Sequence, residues 1–450
     1  MLGLALRSLR RRVSAFTASL LAAFLGATII MAFGSLLDTS VSGGATGAAA
    51  ETLTTMAAVV GGWGLVLVVF AVTSTLTLSA RQRAGELALL RSVGATPGQI
   101  RRMLVGEAAG LAVAGALAAV LPAWLAGRGI VGLLHDADMV PRSIGHTFGA
   151  FAAGTGFGIT LVAAVVAALL AARRTGRERP ADPYADAADA ARLPWPRIAA
   201  AVLLLGAAVN CAVLTMTVMR DEGTMAMPIA AQAAILGSLS LALLSPALLR
   251  GATRLLERPL GAFGVAGELA VVSLRRRTRR LAAVMAPIIL FTGVGVGTVH
   301  LQRTENAALA TATDLPEADA RTLETLNYVV IGMIVLFMAI MLVNTLLAAT
   351  AHRRREFGQQ RLAGATPGQV LGTVALEAAV LAAVGVVCGA AVSLLGIVPF
   401  AVARIGSPVP EGGPAAVVVV AVLAAALTLG TAYGAARRAL ASPAVDAVTP

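Results

Sequence analysis

Apolar runs of about 20 residues, the length that crosses a bilayer as a helix, recur along the whole chain. Short stretches that collect Arg, Gly, Pro and acidic residues separate them. Ten runs can be placed, at 14–37, 54–79, 103–127, 147–172, 198–219, 227–249, 281–301, 324–350, 371–400 and 414–436. The pattern predicts an all-α, polytopic membrane protein. Composition agrees, with 58% hydrophobic and 13% charged residues among 450 and a mean hydropathy of +0.84, far above ordinary soluble domains.

Charge changes the picture in one respect. A net charge of +12 would point to nucleic acid in a soluble protein, but here the basic residues are all Arg and sit in blocks between the apolar runs. They lack the interleaved aromatic platform that single-stranded nucleic acid needs, so the expected surroundings are a lipid bilayer and no nucleic acid. Basic residues collect on the cytoplasmic side of membrane proteins. With the N-terminus inside, every Arg except Arg128, Arg142, Arg220, Arg303, Arg321 and Arg404 lies in or beside a cytoplasmic segment. Both termini are then expected in the cytoplasm of a multi-pass protein. Ser8-Leu9-Arg10-Arg11-Arg12 could open a cleaved signal, but Ser273-Leu274-Arg275-Arg276-Arg277 repeats it mid-chain, so an uncleaved first span is expected.

That repeat belongs to a larger duplication. Ser8 pairs with Ser273, Gly94 with Gly364, and Arg173-Arg174 with Arg437-Arg438. The chain therefore divides into a four-span unit over 1–174, a cytoplasmic linker over 175–197, and two central spans over 198–250. An Arg-rich segment over 251–280 leads to a second four-span unit over 281–450. Even numbers of spans separate the units, so they are expected to be parallel rather than inverted repeats.

The hexapeptide GATPGQ occurs in both units, at 94–99 and 364–369. Each copy follows a charged extension and precedes an apolar run. Gly94 suits a left-handed helix stop. Thr96 suits an N-cap, Pro97 the first helical position, and Gln99 the residue that reaches back to the cap. Gly364, Thr366, Pro367 and Gln369 repeat every element, with Ala95 and Ala365 between stop and start and Gly98 and Gly368 inside the new helix. The spacing predicts a sharp turn into a short helix, about 94–102 and 364–372, that feeds the next span. Glu86 and Glu356 flank the turns before, Glu107 and Glu377 after. Repetition of caps and acids together points to an element presented to a cytoplasmic partner rather than a mere connector.

"RQRAGELALLRSVGATPGQIRRMLVGEA" resembles the signature of FtsX-like permease domains, the membrane subunits of MacB-, LolC/LolE- and BceB-type ABC systems. "AHRRREFGQQRLAGATPGQVLGTVALEA" and the ending "AARRALASPAVDAVTP" are similar to it as well. The resemblance implies two FtsX-like units around two central spans, in a bacterial cytoplasmic membrane. The turns would then be coupling helices seated on a separate ABC ATPase, expected as a dimer, with ATP and Mg held by that partner. The coupling role carries to Gly94, Ala95, Thr96, Pro97, Gly98 and Gln99, to Gly364, Ala365, Thr366, Pro367, Gly368 and Gln369, and to the flanking Glu86, Glu107, Glu356 and Glu377. Export or membrane extraction of an amphiphile is the implied activity, and a non-transporting signalling subunit is the alternative.

Three features depart from the family. The connections after the first and seventh spans, about 38–53 and 302–323, are short. In the second unit Gln359 and Gln360 stand where the first has Leu89 and Leu90, and Leu371-Gly372 where it has Arg101-Arg102. Without any Lys the chain has no Walker A motif, so no ATPase or other enzyme activity is expected in it. Asn210, Gln232 and Asn344 lie within predicted spans, where buried amides usually tie helices together. No Asp or Glu falls near mid-span, which disfavours an ion-coupled carrier. His135, His146, His300 and His352 are scattered at span ends, and Cys211 and Cys388 lie in spans. Neither a metal site, a disulfide nor a catalytic set is expected, and the substrate site is not legible.

Overall fold

The computed structural model describes residues 13–58, 89–136 without 91, 138–175, 193–311 without 221, and 353–441, with isolated helical positions within 61–73 and 332–346. Predicted spans 54–79 and 324–350, with Glu86 and Asn344, lie largely or wholly outside the described residues. The described residues form helices and no strand. In chain order the helices are α1 (Val13–Ser42), α2 (Pro97–Asp136), α3 (Ala150–Thr175), α4 (Trp195–Thr217), α5 (Ala226–Gly261), α6 (Gly264–Arg276), α7 (Thr278–Thr311), α8 (Arg354–Leu362), α9 (Pro367–Ile405) and α10 (Ala415–Leu440). Eight of them are long and apolar enough to cross a membrane, α6 and α8 being the exceptions.

The chain forms two compact units, with α1–α3 in the first and α4–α10 in the second. In the first, Ala27 and Met31 of α1 pack on Ala116, Ala119 and Ala123 of α2, sealed by Phe24, Val120, Phe148 and Phe157. The helices can approach this closely because Gly115 has no side chain: a Cβ there would lie 2.9 Å from Phe24 N. Such small-residue seams supply the packing that holds helices together where lipid removes the hydrophobic drive.

In the second unit α7 and α9 make the corresponding pair. Gly389 on α9 faces Thr292, Ile289 and Gly293 on α7, and a Cβ there would lie 2.8 Å from the Ile289 carbonyl oxygen. The central helix α5 joins this seam through Gly237 against Val392 and Ala230 against Gly396. α7 is accordingly buried along most of its membrane stretch.

Two expectations change. The short helices predicted at 94–102 and 364–372 are not separate elements. α2 and α9 start at Pro97 and Pro367 and run unbroken for 40 and 39 residues. At 1.5 Å per residue each is about 60 Å long, twice the hydrocarbon thickness. The physical reason is local: Gly98 and Gly106, or Gly368 and Gly372, cost a helix only about 1 kcal/mol each, and the next proline lies deep in the span, at Pro122 and Pro399. The connections also shrink, because α1 runs to Ser42 and α7 to Thr311. Part of each predicted loop is therefore helix.

Candidate functional site

Both GATPGQ turns have the geometry that their residues dictate. Gly94 and Gly364 have φ of 96° and 95°, where an L side chain is strained. Around them the preceding helix closes on itself: Ala95 N–H donates to Leu90 O at 2.9 Å and Ala365 N–H to Gln360 O at 3.0 Å. In the second copy Gly364 N–H also donates to Arg361 O at 3.1 Å, completing the paired bonds of a Schellman stop. The starts match as well. Thr96 N–H donates to Gln99 Oε1 at 2.9 Å while Gln99 N–H donates to Thr96 Oγ1 at 3.3 Å. Thr366 and Gln369 repeat both bonds at 2.9 and 3.3 Å. These reciprocal boxes satisfy two of the free N–H groups at each helix start.

The turns project the same backbone outward. Gly94, Thr96, Pro97 and Gly98 are exposed, as are Gly364, Thr366, Pro367 and Gly368. Gln99 is exposed and Gln369 half-buried, and Ala95 and Ala365 are half-buried. Ile100 and Val370 are buried just beyond. The side chains around them differ. Leu89 is 68% and Leu90 42% exposed in the first copy, with Arg101 and Arg102 also exposed. In the second copy Leu371 packs onto a core of Phe357, Val370, Val374 and Ala378 against Ala432 and Ala436 of α10.

The flanking acids require a correction. Glu107 and Glu377 are buried, at 3% and 2% exposure, so neither presents a carboxylate to a partner's surface. Glu377 accepts from Arg353 Nη1 at 2.5 Å and Nη2 at 3.1 Å, a bidentate pair. Glu356 is also engaged within the chain, accepting from Arg353 Nε at 3.4 Å and from Arg277 Nη1. Arg353 in turn lies over the Phe357 ring, 5.1 Å from its centroid. Burial alone would lower the Arg353 pKa; the Glu377 and Glu356 carboxylates outweigh it and raise the pKa above its ordinary value. Sequence reading missed this network, although Arg83 and Glu107 recur as Arg353 and Glu377 at the same offset as the turns. Glu86 lies outside the described residues.

At the opposite helix ends the two units are tied differently. Asp38 of α1 accepts from Gly149 N–H at 3.0 Å, Phe151 N–H at 3.3 Å and Ala152 N–H at 2.8 Å, capping α3 from a neighbouring helix. Anionic groups are stabilised there by the free N–H groups and the helix dipole. His146 Nε2 lies 3.0 Å from Ser35 Oγ. In the second unit Arg404 Nε and Nη2 donate to the buried Glu305 at 2.9 and 3.0 Å. Arg303 Nη1 donates to Gly412 O at 2.9 Å.

Among the described residues no group of three His, Cys, Asp or Glu could hold a metal ion. Cys211 and Cys388 are free thiols. Asn210 is exposed on α4, away from any network described above.

No curated protein matches the chain. Residues 58–180 and 328–444 match the family described as FtsX-like permease C-terminal. Each segment contains one capped turn and the long helix that follows it. The matched segments together exceed half of the sequence, and they coincide with the duplicated elements just described: this multi-pass membrane protein belongs to the FtsX-like permease family.

Proposed function

We propose that this chain is the membrane subunit of an ABC system and that its two turns are the seats of a separate cytoplasmic ATPase. The observation that carries the reading is the pair of exposed turns that share one stop bond and both start bonds, each at the end of a helix that overruns the bilayer. FtsX-like permeases generally work with an ABC ATPase. A capped, continuous helix suits the transmission of force. A push on its first turn moves the whole rod, because every peptide group is held by its neighbours. ATP and Mg would reside on the partner, most simply as a dimer meeting one turn from each unit. Both termini and both turns would face the cytoplasm.

The transported species fits best as an amphiphile such as a lipid, peptide or drug-like molecule, exported or drawn from the membrane. The spans carry no mid-span carboxylate to relay an ion.

The test places single cysteines at Gly98 and Gly368 after Cys211→Ser and Cys388→Ser. An added Cβ meets nothing within 4 Å at Gly98 and only Thr366 Oγ1, at 4.0 Å, at Gly368, so the turns keep their shape. In intact cells both cysteines should resist an impermeant thiol reagent, and in inverted vesicles both should react unless the co-expressed ATPase is bound. Labelling from outside, or labelling in vesicles unaffected by the ATPase, would overturn the reading.

A further inference from the structure

We infer that Arg277, Glu356, Arg353 and Glu377 form an internal clasp through which the second turn drives α7 and α9 together. This inference rests on the coupling role proposed above and assigns the acids a transmitting role in place of a docking one.

Three elements meet in the clasp. Arg277 is the single residue between α6 and α7, so its backbone is the joint at which the buried helix α7 begins. Glu356 stands in the first turn of α8, the helix that runs into the turn. Glu377 stands on α9, the helix that leaves it. One oxygen of Glu356 accepts from both Arg277 and Arg353, while Arg353 spends its other two nitrogens on Glu377. The guanidinium thus joins the two arms of the turn, and the shared oxygen extends that link to α7.

The chemistry selects connection over adhesion. An apolar contact between helices tolerates sliding, whereas a planar guanidinium on two carboxylate oxygens fixes distance and orientation. A buried ion pair is a poor source of net stability, and its best-attested use is to fix register. The apolar backing is consistent: Phe357 anchors α8 on α9 and α10 beside the clasp. Beyond it, α7 and α9 stay in register through the Gly389 seam and are joined again at their far ends by Glu305 and Arg404. A displacement of the second turn therefore reaches the far end through two helices held at both ends.

Glu356→Gln separates transmission from docking. It keeps the side-chain size at a position that is not fully buried, and it leaves the Arg353–Glu377 pair in place. The full chain is purified with its ATPase, and complex retention, KM for ATP and stimulated turnover are measured. Retention and KM should match the parent, while stimulated kcat falls about tenfold or more, the scale of one lost charge-assisted hydrogen bond. Arg277→Lys should keep most of the turnover, because its contact with Glu356 is monodentate, and Arg277→Gln should lose it. Loss of ATPase in step with turnover would show that Glu356 docks and would overturn the clasp, as would unchanged turnover in both Glu356→Gln and Arg277→Gln. A parent chain that retains no ATPase would instead refute the permease reading, and the clasp with it.

Discussion

The first and second turns share a backbone and differ in what they show. Their glycines agree to a degree in φ, and their capping boxes repeat the same two distances. Around this common frame the first turn carries exposed Leu89, Leu90, Arg101 and Arg102. The second carries Gln359 and Gln360 and turns Leu371 into its own core. Cap chemistry is local and admits few residue types: Gly, Thr, Pro and Gln each serve one bond or one dihedral that only a handful of side chains can supply. Surface contact is graded, so the two copies could diverge there without losing the turn. Under the coupling role proposed above, the contrast predicts unequal grips on the ATPase, with the first turn the tighter.

Exchanging the surfaces should give the largest effect. Leu89→Gln with Leu90→Gln removes the apolar area that a partner could cover, and Gln359→Leu with Gln360→Leu adds it. Full burial of one Leu contributes about 1.5–3 kcal/mol. Since both side chains are only partly exposed, the pair is expected to contribute about 2 kcal/mol, roughly thirtyfold in affinity. Titration of the ATPase against the detergent-purified chain should show weaker binding for the first double variant and stronger binding for the second. Equal affinities in all three proteins would mean that these side chains are not at the interface.

Gly94→Val and Gly364→Val come next in size. Nothing lies within 4 Å of an ideal Cβ at either glycine, so the cost is the left-handed backbone alone, about 1–2 kcal/mol. That cost should be the same in both copies. Any difference in ATPase retention then measures the partner contact rather than the stability of the turn. Retention should fall more for Gly94→Val, by about five- to thirtyfold if the whole backbone cost is expressed in docking. A greater loss at Gly364 would reverse the assignment of the tighter seat.

What could be read from the sequence follows the same division. The turns were legible down to individual bonds, since GATPGQ places stop and start within six residues and needs no tertiary information. The apolar runs gave the described spans for the same reason. The helix ends were less legible: α7 continues to Thr311 through Gln302, Thr304 and Glu305, polar residues that are buried by neighbouring helices. The burial of Glu107 and Glu377 and the ties of Glu356 were not legible, because a carboxylate beside a turn has no face until the helices are packed. Glu377 reaches Arg353 across 24 residues and Glu356 reaches Arg277 across 79, and only the fold brings them together. Asp38, which caps α3 from α1, was hidden in the same way.

The far ends extend the comparison from turns to whole units and give the smallest expected effect. The first unit relies there on a carboxylate over a helix start and on His146, while the second uses the Glu305–Arg404 pair. His146 is half-buried in the connection between α2 and α3. Burial first, then the charge of Arg128, lowers its pKa from the ordinary 6.5, and Asp38 opposes them. The folded chain therefore binds fewer protons than the unfolded chain once the pH drops below about 6.5, so stability should be level above that value and decline below it, until the folded-state pKa is passed. Much of the ring's field is screened by solvent, which keeps the slope small. The measurement is the rate of proteolysis within 137–149, compared between pH 7.5 and 5.5 for the parent and His146→Gln. The parent should be cut faster at the lower pH, and the variant, which keeps a polar group near Ser35 but cannot take up a proton, should lose part of that acceleration. Equal acceleration in the two proteins would remove His146 from the account and leave the Asp38 cap to distinguish the first unit's far end from the second's.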